Sequence, residues 1–339
     1  MTATAEKDEA RMARAVAAAA LVRRRVAPRP WVGAVIVPAD DGSPPGFVGA
    51  TEGRVGPHAE VVALTAAGAR ARGATLYVTL EPCSHHGSTP PCADAVIDAG
   101  VARVVVAVSD PDPRVSGQGL ERLRCAGVQV ELGVGAAAVE EQLAPYLHHR
   151  RTGRPWVVLK LAGTADGRTA APDGTSQWIT RTDARLDAHR LRADSDAILV
   201  GAGTVRADDP ALTVRLPAGE RHPDDTEPLR VVLGIAPPQA SVHPCVELAG
   251  RLTDVLDDLG TRGVLQLMVE GGARVAHAFH AAGLVDRYVI YVAPMLMGGD
   301  DGPALFAGSG AATLTDAWRG RFVDVRRLGD DLRFDLKGP

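Results

Sequence analysis

Thr75-Leu76-Tyr77-Val78-Thr79-Leu80-Glu81-Pro82-Cys83 is an apolar run that breaks at a Glu-Pro-Cys turn. A short run of apolar, β-branched and aromatic residues bounded by a turn signal reads as a buried strand. Proline ends it because it has no N–H to contribute to a ladder. Outward from this run the pattern alternates. Downstream, a helix is expected at 93–99, a strand at 103–108, a helix at 119–126 and a strand at 128–132. Upstream, Trp31, Val32, Ala34, Val35, Ile36 and Val37 read as a strand, a polar Gly/Pro/Asp turn follows, and a helix is expected over 58–72. Strands and helices alternating in this way make βαβ units, so the expected first domain is α/β with a largely parallel sheet.

The alternation restarts at Trp156, after the charged stretch His148-His149-Arg150-Arg151-Thr152-Gly153-Arg154-Pro155. That punctuation predicts a first domain over 1–147, a linker over 148–154 and a second domain over 155–339. In the second half a helix is expected at 183–193, strands at 197–200, 229–233 and 264–269, a helix at 273–282 and a strand at 288–292. This sheet too should be mostly parallel, and the polar stretch 217–228 reads as a surface loop.

Hydrophobic residues at 46% and charged residues at 23% fit a soluble globular protein of two cores. No run approaches the roughly 20 apolar residues of a membrane span, so no membrane partner is expected. The N-terminal apolar run 15–22 follows Glu6, Asp8 and Glu9 and meets Arg23-Arg24-Arg25, which reads as an amphipathic helix rather than a secretion signal. A net charge of −4 and 4% aromatic residues provide neither a basic field nor stacking platforms, so no nucleic acid partner is expected. Cys83 and Cys92 share a loop while Cys125 and Cys245 stand apart. That is not a disulfide framework, and it predicts reduced thiols in a cytoplasmic protein.

His58-Ala59-Glu60 opens a predicted helix after Gly56-Pro57, Cys83 follows a strand end, and Cys92 begins another predicted helix. Two thiolates and one imidazole converging at such turns make a Cys2His zinc site with the fourth position left for water. Helix N-termini favour the thiolates by lowering their pKa. Deaminating an amidine requires an activated water, a proton for the ring nitrogen and a proton for the departing ammonia, and Glu60 is the expected proton carrier. The competing reading is a closed structural site in which His85 or His86 fills the fourth position. The cysteines are spaced more widely than the C-x-x-C of common zinc deaminases.

That insertion carries a resemblance. Glu81-Pro82-Cys83-Ser84-His85-His86-Gly87-Ser88-Thr89-Pro90-Pro91-Cys92 resembles the deaminase signature of the bifunctional RibD (RibG) riboflavin-biosynthesis family. So do Pro57-His58-Ala59-Glu60 and Asp110-Pro111-Asp112-Pro113. In the second half the likeness continues through Asp166-Gly167-Arg168-Thr169, Ser176-Gln177-Trp178-Ile179 and Ala207-Asp208-Asp209-Pro210-Ala211-Leu212-Thr213. The resemblance implies a cytidine-deaminase-like α/β/α domain followed by a dihydrofolate-reductase-like α/β domain. It implies zinc-dependent deamination of 2,5-diamino-6-(5-phosphoribosylamino)pyrimidin-4(3H)-one, then NADPH reduction of the ribosyl group to give 5-amino-6-(5-phosphoribitylamino)uracil. It also implies a homo-oligomer assembled through the C-terminal domain. Carried over residue by residue, Ala162, Trp178, Thr204, Asp208, Gly271 and Gly272 would line the NADPH site, and Ser176, Arg192, Leu212, Arg215 and Glu270 would face the substrate.

Some positions depart from the common family pattern. Arg29 stands where asparagine is usual, Ser88 replaces a basic residue, Asp112 replaces asparagine, and a Gly-Tyr-His segment before His58 has no counterpart. Gly234-Ile235 replaces Asp-Ser, and the stretch to Leu252 is shorter, as if a strand or loop were trimmed. These departures motivate two rival readings: a monofunctional deaminase with a non-catalytic second half, and a non-enzymatic zinc-stabilised regulatory protein.

Read on its own, Glu270-Gly271-Gly272 ends a strand and opens a helix, so its exposed N–H groups suit a pyrophosphate. Gly201-Ala202-Gly203-Thr204-Val205-Arg206 lacks the last glycine of the dinucleotide fingerprint and opens no expected helix, so a tight turn competes there. Arg192 and Arg215 offer forked donors for a phosphate, or belong to an ordinary charged face. Lys160 either polarises the reacting carbonyl or imine or is a surface lysine, and core packing competes for Trp178.

Overall fold

The apolar runs Thr75–Leu80 and Arg103–Val108 become strands with nearly every side chain buried, as a sheet covered on both faces requires. The computed structural model describes residues 3–39, 46–85, 90–113 and 115–338, which divide into two units, Met1–Gly153 and Arg154–Pro339. Among the described residues no helix is long and apolar enough to cross a membrane.

The first unit runs α1 (Ala3–Ala20), α2 (Arg23–Val26), β1 (Gly33–Val37), β2 (Phe47–Ala50), α3 (Ala59–Ala67), a 3-10 turn (Gly68–Ala71), β3 (Thr75–Leu80), α4 (Cys92–Asp98), β4 (Arg103–Val108), α5 (Gln118–Cys125), β5 (Gln129–Leu132), α6 (Ala136–Gln142) and α7 (Ala144–Thr152). Its sheet has the order β2-β1-β3-β4-β5. β1 is antiparallel to both neighbours, while β3, β4 and β5 are parallel. The sheet is therefore mixed rather than largely parallel, because the stretch read as a turn before α3 holds the short strand β2.

α1 is longer than the 15–22 segment expected, and it buries Asp8, Met12, Ala15 and Ala19, a stripe at helical spacing. α3 lies close against β2. A Cβ at Gly49 would sit 2.3 Å from the Ala59 carbonyl oxygen and 2.5 Å from the Ala63 nitrogen, so only glycine admits the helix whose first turn carries Glu60. Within the stretch expected as a linker over 148–154, residues 148–152 are the last residues of α7. The helix stops at Gly153, which takes the left-handed conformation and donates its N–H to the His149 carbonyl.

The second unit runs β6 (Trp156–Thr164), α8 (Thr182–Ala193), β7 (Ala197–Gly201), α9 (Ala202–Asp208), β8 (Leu229–Leu233), β9 (Val246–Leu248), α10 (Leu252–Thr261), β10 (Gln266–Val269), α11 (Ala273–Ala281), β11 (Arg287–Ala293), β12 (Arg321–Leu328) and β13 (Asp331–Lys337). The sheet order is β12-β13-β11-β6-β10-β7-β8-β9. Every pairing from β11 to β9 is parallel, as expected, and β12 and β13 add an antiparallel hairpin at one edge. Leu159, Leu199, Leu267, Val269 and Phe279 belong to its main core. α9 occupies the place where no helix was expected. The polar stretch 217–228 forms no helix or strand, in keeping with a loop.

Candidate functional site

β3 ends at Leu80, and the chain turns through Glu81-Pro82 to deliver Cys83. Cys92 is the first residue of α4, and His58 is the N-cap of α3. His58 Nδ1 lies 3.1 Å from Cys92 Sγ and 3.7 Å from Cys83 Sγ, and one ligand atom from each residue lies within 4.8 Å of the others. Two tetrahedral ligands, one sulfur and one nitrogen, on a single zinc sit about 3.6 Å apart, so the donor set fits that ion. The Cys92 N–H points at Cys83 Sγ from 3.4 Å. The hydrogen bond from Cys92 lowers Cys83 to about 4, and the same bond pushes Cys92 up. His85 lines the adjoining cavity but does not join the three-ligand cluster, and His86 and Ser88 lie outside the described residues.

Glu60 is 3% exposed, and burial pushes its carboxyl above the ordinary range despite the opposing charge of His58. A carboxyl tuned upward in this way takes up and releases protons closer to neutrality. It faces a cavity of about 250 Å³ that also holds Arg29, Thr51, Glu81, Asp110, Asp112, Tyr146 and Arg150. Sequence reasoning missed Tyr146 and Arg150 as site residues because it expected no helix at 144–152 and assigned Arg150 to a linker. Tyr146 donates its hydroxyl to Asp110 Oδ2 at 2.9 Å, and Arg150 stacks on the Tyr146 ring. Glu81 opens the turn after β3. Its buried carboxylate accepts the backbone N–H groups of Gly117 (3.0 Å), Gly119 (3.1 Å), Asp110 (3.3 Å) and Leu120 (3.4 Å), which fixes the cavity wall and caps the start of α5.

In the second unit Thr204, Glu270, Gly271 and Gly272 follow the C-terminal ends of the parallel strands β7 and β10, the position at which open α/β sheets bind ligands. Gly272, the N-cap of α11, donates its N–H to Thr204 Oγ1 in α9 at 3.2 Å, so two helix N-termini from the neighbouring strands β10 and β7 lie side by side. Their remaining unpaired N–H groups suit a pyrophosphate. Glu270 binds Arg192 through both oxygens, at 2.5 and 2.9 Å, and Arg192 also reaches the Thr213 carbonyl at 3.1 Å. Burial pushes the Glu270 carboxyl up, and the Arg192 charge and hydrogen bonds more than reverse this, so it is held below its ordinary value. Arg215 donates its backbone N–H to His189 Nδ1, and burial together with the two arginines lowers His189 to about 4, leaving it neutral.

Lys160 is half-buried on β6 with its ammonium 5.8 Å from the Tyr291 ring centroid, and its pKa is lowered by burial, against the pull of Glu270. It is not a plain surface lysine. Ala162 is half-buried two residues further along the strand. Ser176 and Trp178 lie on the connection from β6 to α8. Trp178 is 64% exposed beneath the Arg185 guanidinium, which removes the core-packing reading. Asp208 is exposed at the end of α9, whereas the Leu212 side chain is buried in the core beside Ile198, Val205 and Val232.

The Cys2His cluster beside a buried carboxyl, followed by a separate parallel-sheet unit with glycine turns at its strand ends, defines a zinc deaminase joined to a reductase domain. Residues 5–108 match the cytidine and deoxycytidylate deaminase zinc-binding region, and residues 155–334 match the RibD C-terminal domain. The riboflavin biosynthesis protein RibD of Mycobacterium tuberculosis (strain ATCC 25618 / H37Rv) is 46% identical over 328 residues, covering 91% of both chains. That of Escherichia coli (strain K12) is 41% identical over 373 residues, covering 98% of this chain and 100% of the other. The structure of Acinetobacter baumannii RibD matches with a TM-score of 0.92 at 36% identity over 99% of each chain. The deaminase/reductase of Thermotoga maritima matches at 0.87 and 32%, covering 99% of this chain and 100% of that one. The chain belongs to the RibD family, bifunctional riboflavin-biosynthesis enzymes with a deaminase domain and a reductase domain.

Proposed function

We propose that the first unit deaminates 2,5-diamino-6-(5-phosphoribosylamino)pyrimidin-4(3H)-one. The second unit then reduces the ribosyl chain of the product with NADPH, giving 5-amino-6-(5-phosphoribitylamino)uracil. The Thermotoga maritima relative is described as a diaminohydroxyphosphoribosylaminopyrimidine deaminase and 5-amino-6-(5-phosphoribosylamino)uracil reductase, which supports this pair of reactions. The observation that carries the reading is the buried Glu60 carboxyl in one cavity with His58 and Cys83, against α4 and its Cys92. His58, Cys83 and Cys92 hold zinc, which when bound supplies the Lewis acidity that makes water nucleophilic at neutral pH. Glu60 takes one proton as water adds to the ring carbon and passes it to the ring nitrogen, then takes the second from the new hydroxyl and delivers it to the amine, which leaves as ammonia as the carbonyl forms.

In the second unit the glycine turn at Gly271 and Gly272, with Ala162, Trp178, Thr204 and Asp208, holds NADPH, which supplies the hydride. Ser176, Arg192, Leu212, Arg215 and Glu270 position the phosphoribosyl substrate, Leu212 through its backbone because its side chain is in the core. The reduced cysteines and the small phosphorylated substrate fit work in the cytoplasm. The chain self-associates through its C-terminal unit. Incubation of the full chain with the diaminopyrimidine phosphate and NADPH tests the whole reading. The ultraviolet change of deamination should precede cofactor oxidation. Deamination without any NADPH consumption would favour the monofunctional alternative.

A further inference from the structure

His243 and Cys245 lie in the last stretch of the crossover into the edge strand β9, and Glu247 is the middle residue of that strand. The three were not grouped by sequence reasoning, which left Cys245 isolated. One ligand atom from each lies within 4.8 Å of the others. Cys245 Sγ is 3.5 Å from His243 Nδ1, a separation between the 3.1 and 3.7 Å found in the deaminase cluster. It also matches the roughly 3.6 Å between sulfur and nitrogen ligands on one tetrahedral zinc.

The surroundings prepare these atoms for a cation. His243 Nε2 lies 3.0 Å from the Pro237 carbonyl oxygen. A carbonyl only accepts, so the proton is on Nε2 and the lone pair of Nδ1 faces the thiol. Metal-binding histidines are ordinarily held by this kind of outer hydrogen bond. Glu247 is steadied in the same way, with Oε1 accepting the Ala236 N–H at 2.8 Å. Arg230 donates to the carbonyls of Val242 and His243, so the neighbouring positive charge is engaged with backbone.

We propose that His243, Cys245 and Glu247 form a second metal site, separate from the deaminase centre, that takes a borderline divalent cation of which Zn2+ is the best match. Imidazole, thiolate and carboxylate together suit zinc and disfavour Mg2+ and Ca2+, which take oxygen ligands. The role is structural. β9 has only three residues and is paired to β8 alone, so few ladder bonds hold it. The outer partners Ala236 and Pro237 lie in the crossover from β8, and Ser241 in that crossover binds Asp209 at the end of α9 through two 2.7 Å hydrogen bonds. An ion held by these three residues fastens the crossover to the sheet edge.

The test is titration of Zn2+ into the metal-free full-length chain against a chromophoric chelator, with Co2+ as a second probe. Wild type should bind two equivalents, and Cys245→Ser and His243→Ala one each. The Cys83→Ser/Cys92→Ser double variant should retain one, with a thiolate-to-cobalt charge-transfer band that disappears when Cys245→Ser is added. A double variant without a cobalt–thiolate band, or a wild-type second equivalent undiminished by Cys245→Ser, overturns the proposal. Because the double variant lacks the deaminase thiols, this outcome is independent of the deaminase reading.

Discussion

Arg29 brings a cation into the deaminase cavity, where burial lowers its pKa and the charges of Cys92, Cys83 and Glu60 only partly oppose that shift. Its Nη1 is occupied by the carbonyls of Gly53 (3.1 Å) and Gly56 (2.9 Å), while Nη2 is buried with no partner among the described residues. A buried donor left unpaired costs about 1–3 kcal/mol, which a substrate oxygen or ring nitrogen recovers on binding. Arg29→Ala should therefore raise KM for deamination roughly tenfold, with a smaller change in kcat and no change in the reduction of supplied intermediate. Steady-state kinetics on the separate half-reactions checks this, and an unchanged KM removes Arg29 from the substrate contacts. At this scale the sequence was most informative about chemistry, because His58, Cys83 and Cys92 sit at strand-to-helix turns that Pro57, Pro82 and Pro91 mark. It was silent about Tyr146 and Arg150, which reach the cavity from α7, a helix that no local pattern announced.

The elements of the first unit are held by close approach and by a partly buried ion pair. A Cβ at Gly119 would lie 1.9 Å from the Pro82 carbonyl oxygen, so the first turn of α5 rests directly on the turn that delivers Cys83. Gly119→Ala should destabilise the first unit by about 1–3 kcal/mol or more, measured by urea unfolding. A change under about 0.5 kcal/mol, the range of ordinary surface substitutions, would contradict that packing. α1 is tied to the sheet by Asp8, which accepts hydrogen bonds from Arg103 (2.7 Å) and the Tyr77 hydroxyl (2.5 Å). The Arg103 hydrogen bonds hold the Asp8 carboxyl below its ordinary 3.8. A lowered folded-state pKa stabilises above the unfolded value, and the contribution is lost as pH falls through the folded one. Asp8→Asn should therefore cost stability at about pH 7 and much less at about pH 3, and an equal loss at both would contradict the ion-pair role.

Element boundaries show where sequence patterning fails. β2 has four residues behind a Gly/Pro-rich stretch, too few to show a period. α9 has two glycines in or beside its first turn and β-branched Thr204 and Val205, so local propensity argued for a turn until packing on the sheet decided otherwise. α10 carries a stripe at helical spacing, Leu252, Val255, Leu256 and Leu259, so its sequence does announce the helix.

For the whole molecule, β12 and β13 bear on assembly. A register shift between Phe322 and Asp324 brings Phe322 and Val325 to the same face, where they are 63% and 55% exposed. Apolar side chains on an edge hairpin are a surface that a second copy would cover. Phe322→Asp should shift sedimentation from oligomer toward monomer while the two active sites stay intact, and an unchanged sedimentation profile would place self-association elsewhere. The division of labour between the units is tested most directly by Glu60→Gln in the full chain, assayed separately for deamination and for reduction of supplied deaminated intermediate. Deamination should fall by at least two orders of magnitude with metal content and reduction unchanged, in line with the loss of a general acid–base. Near-normal deamination in a variant of unchanged metal content would contradict the assignment of proton transfer to this carboxyl.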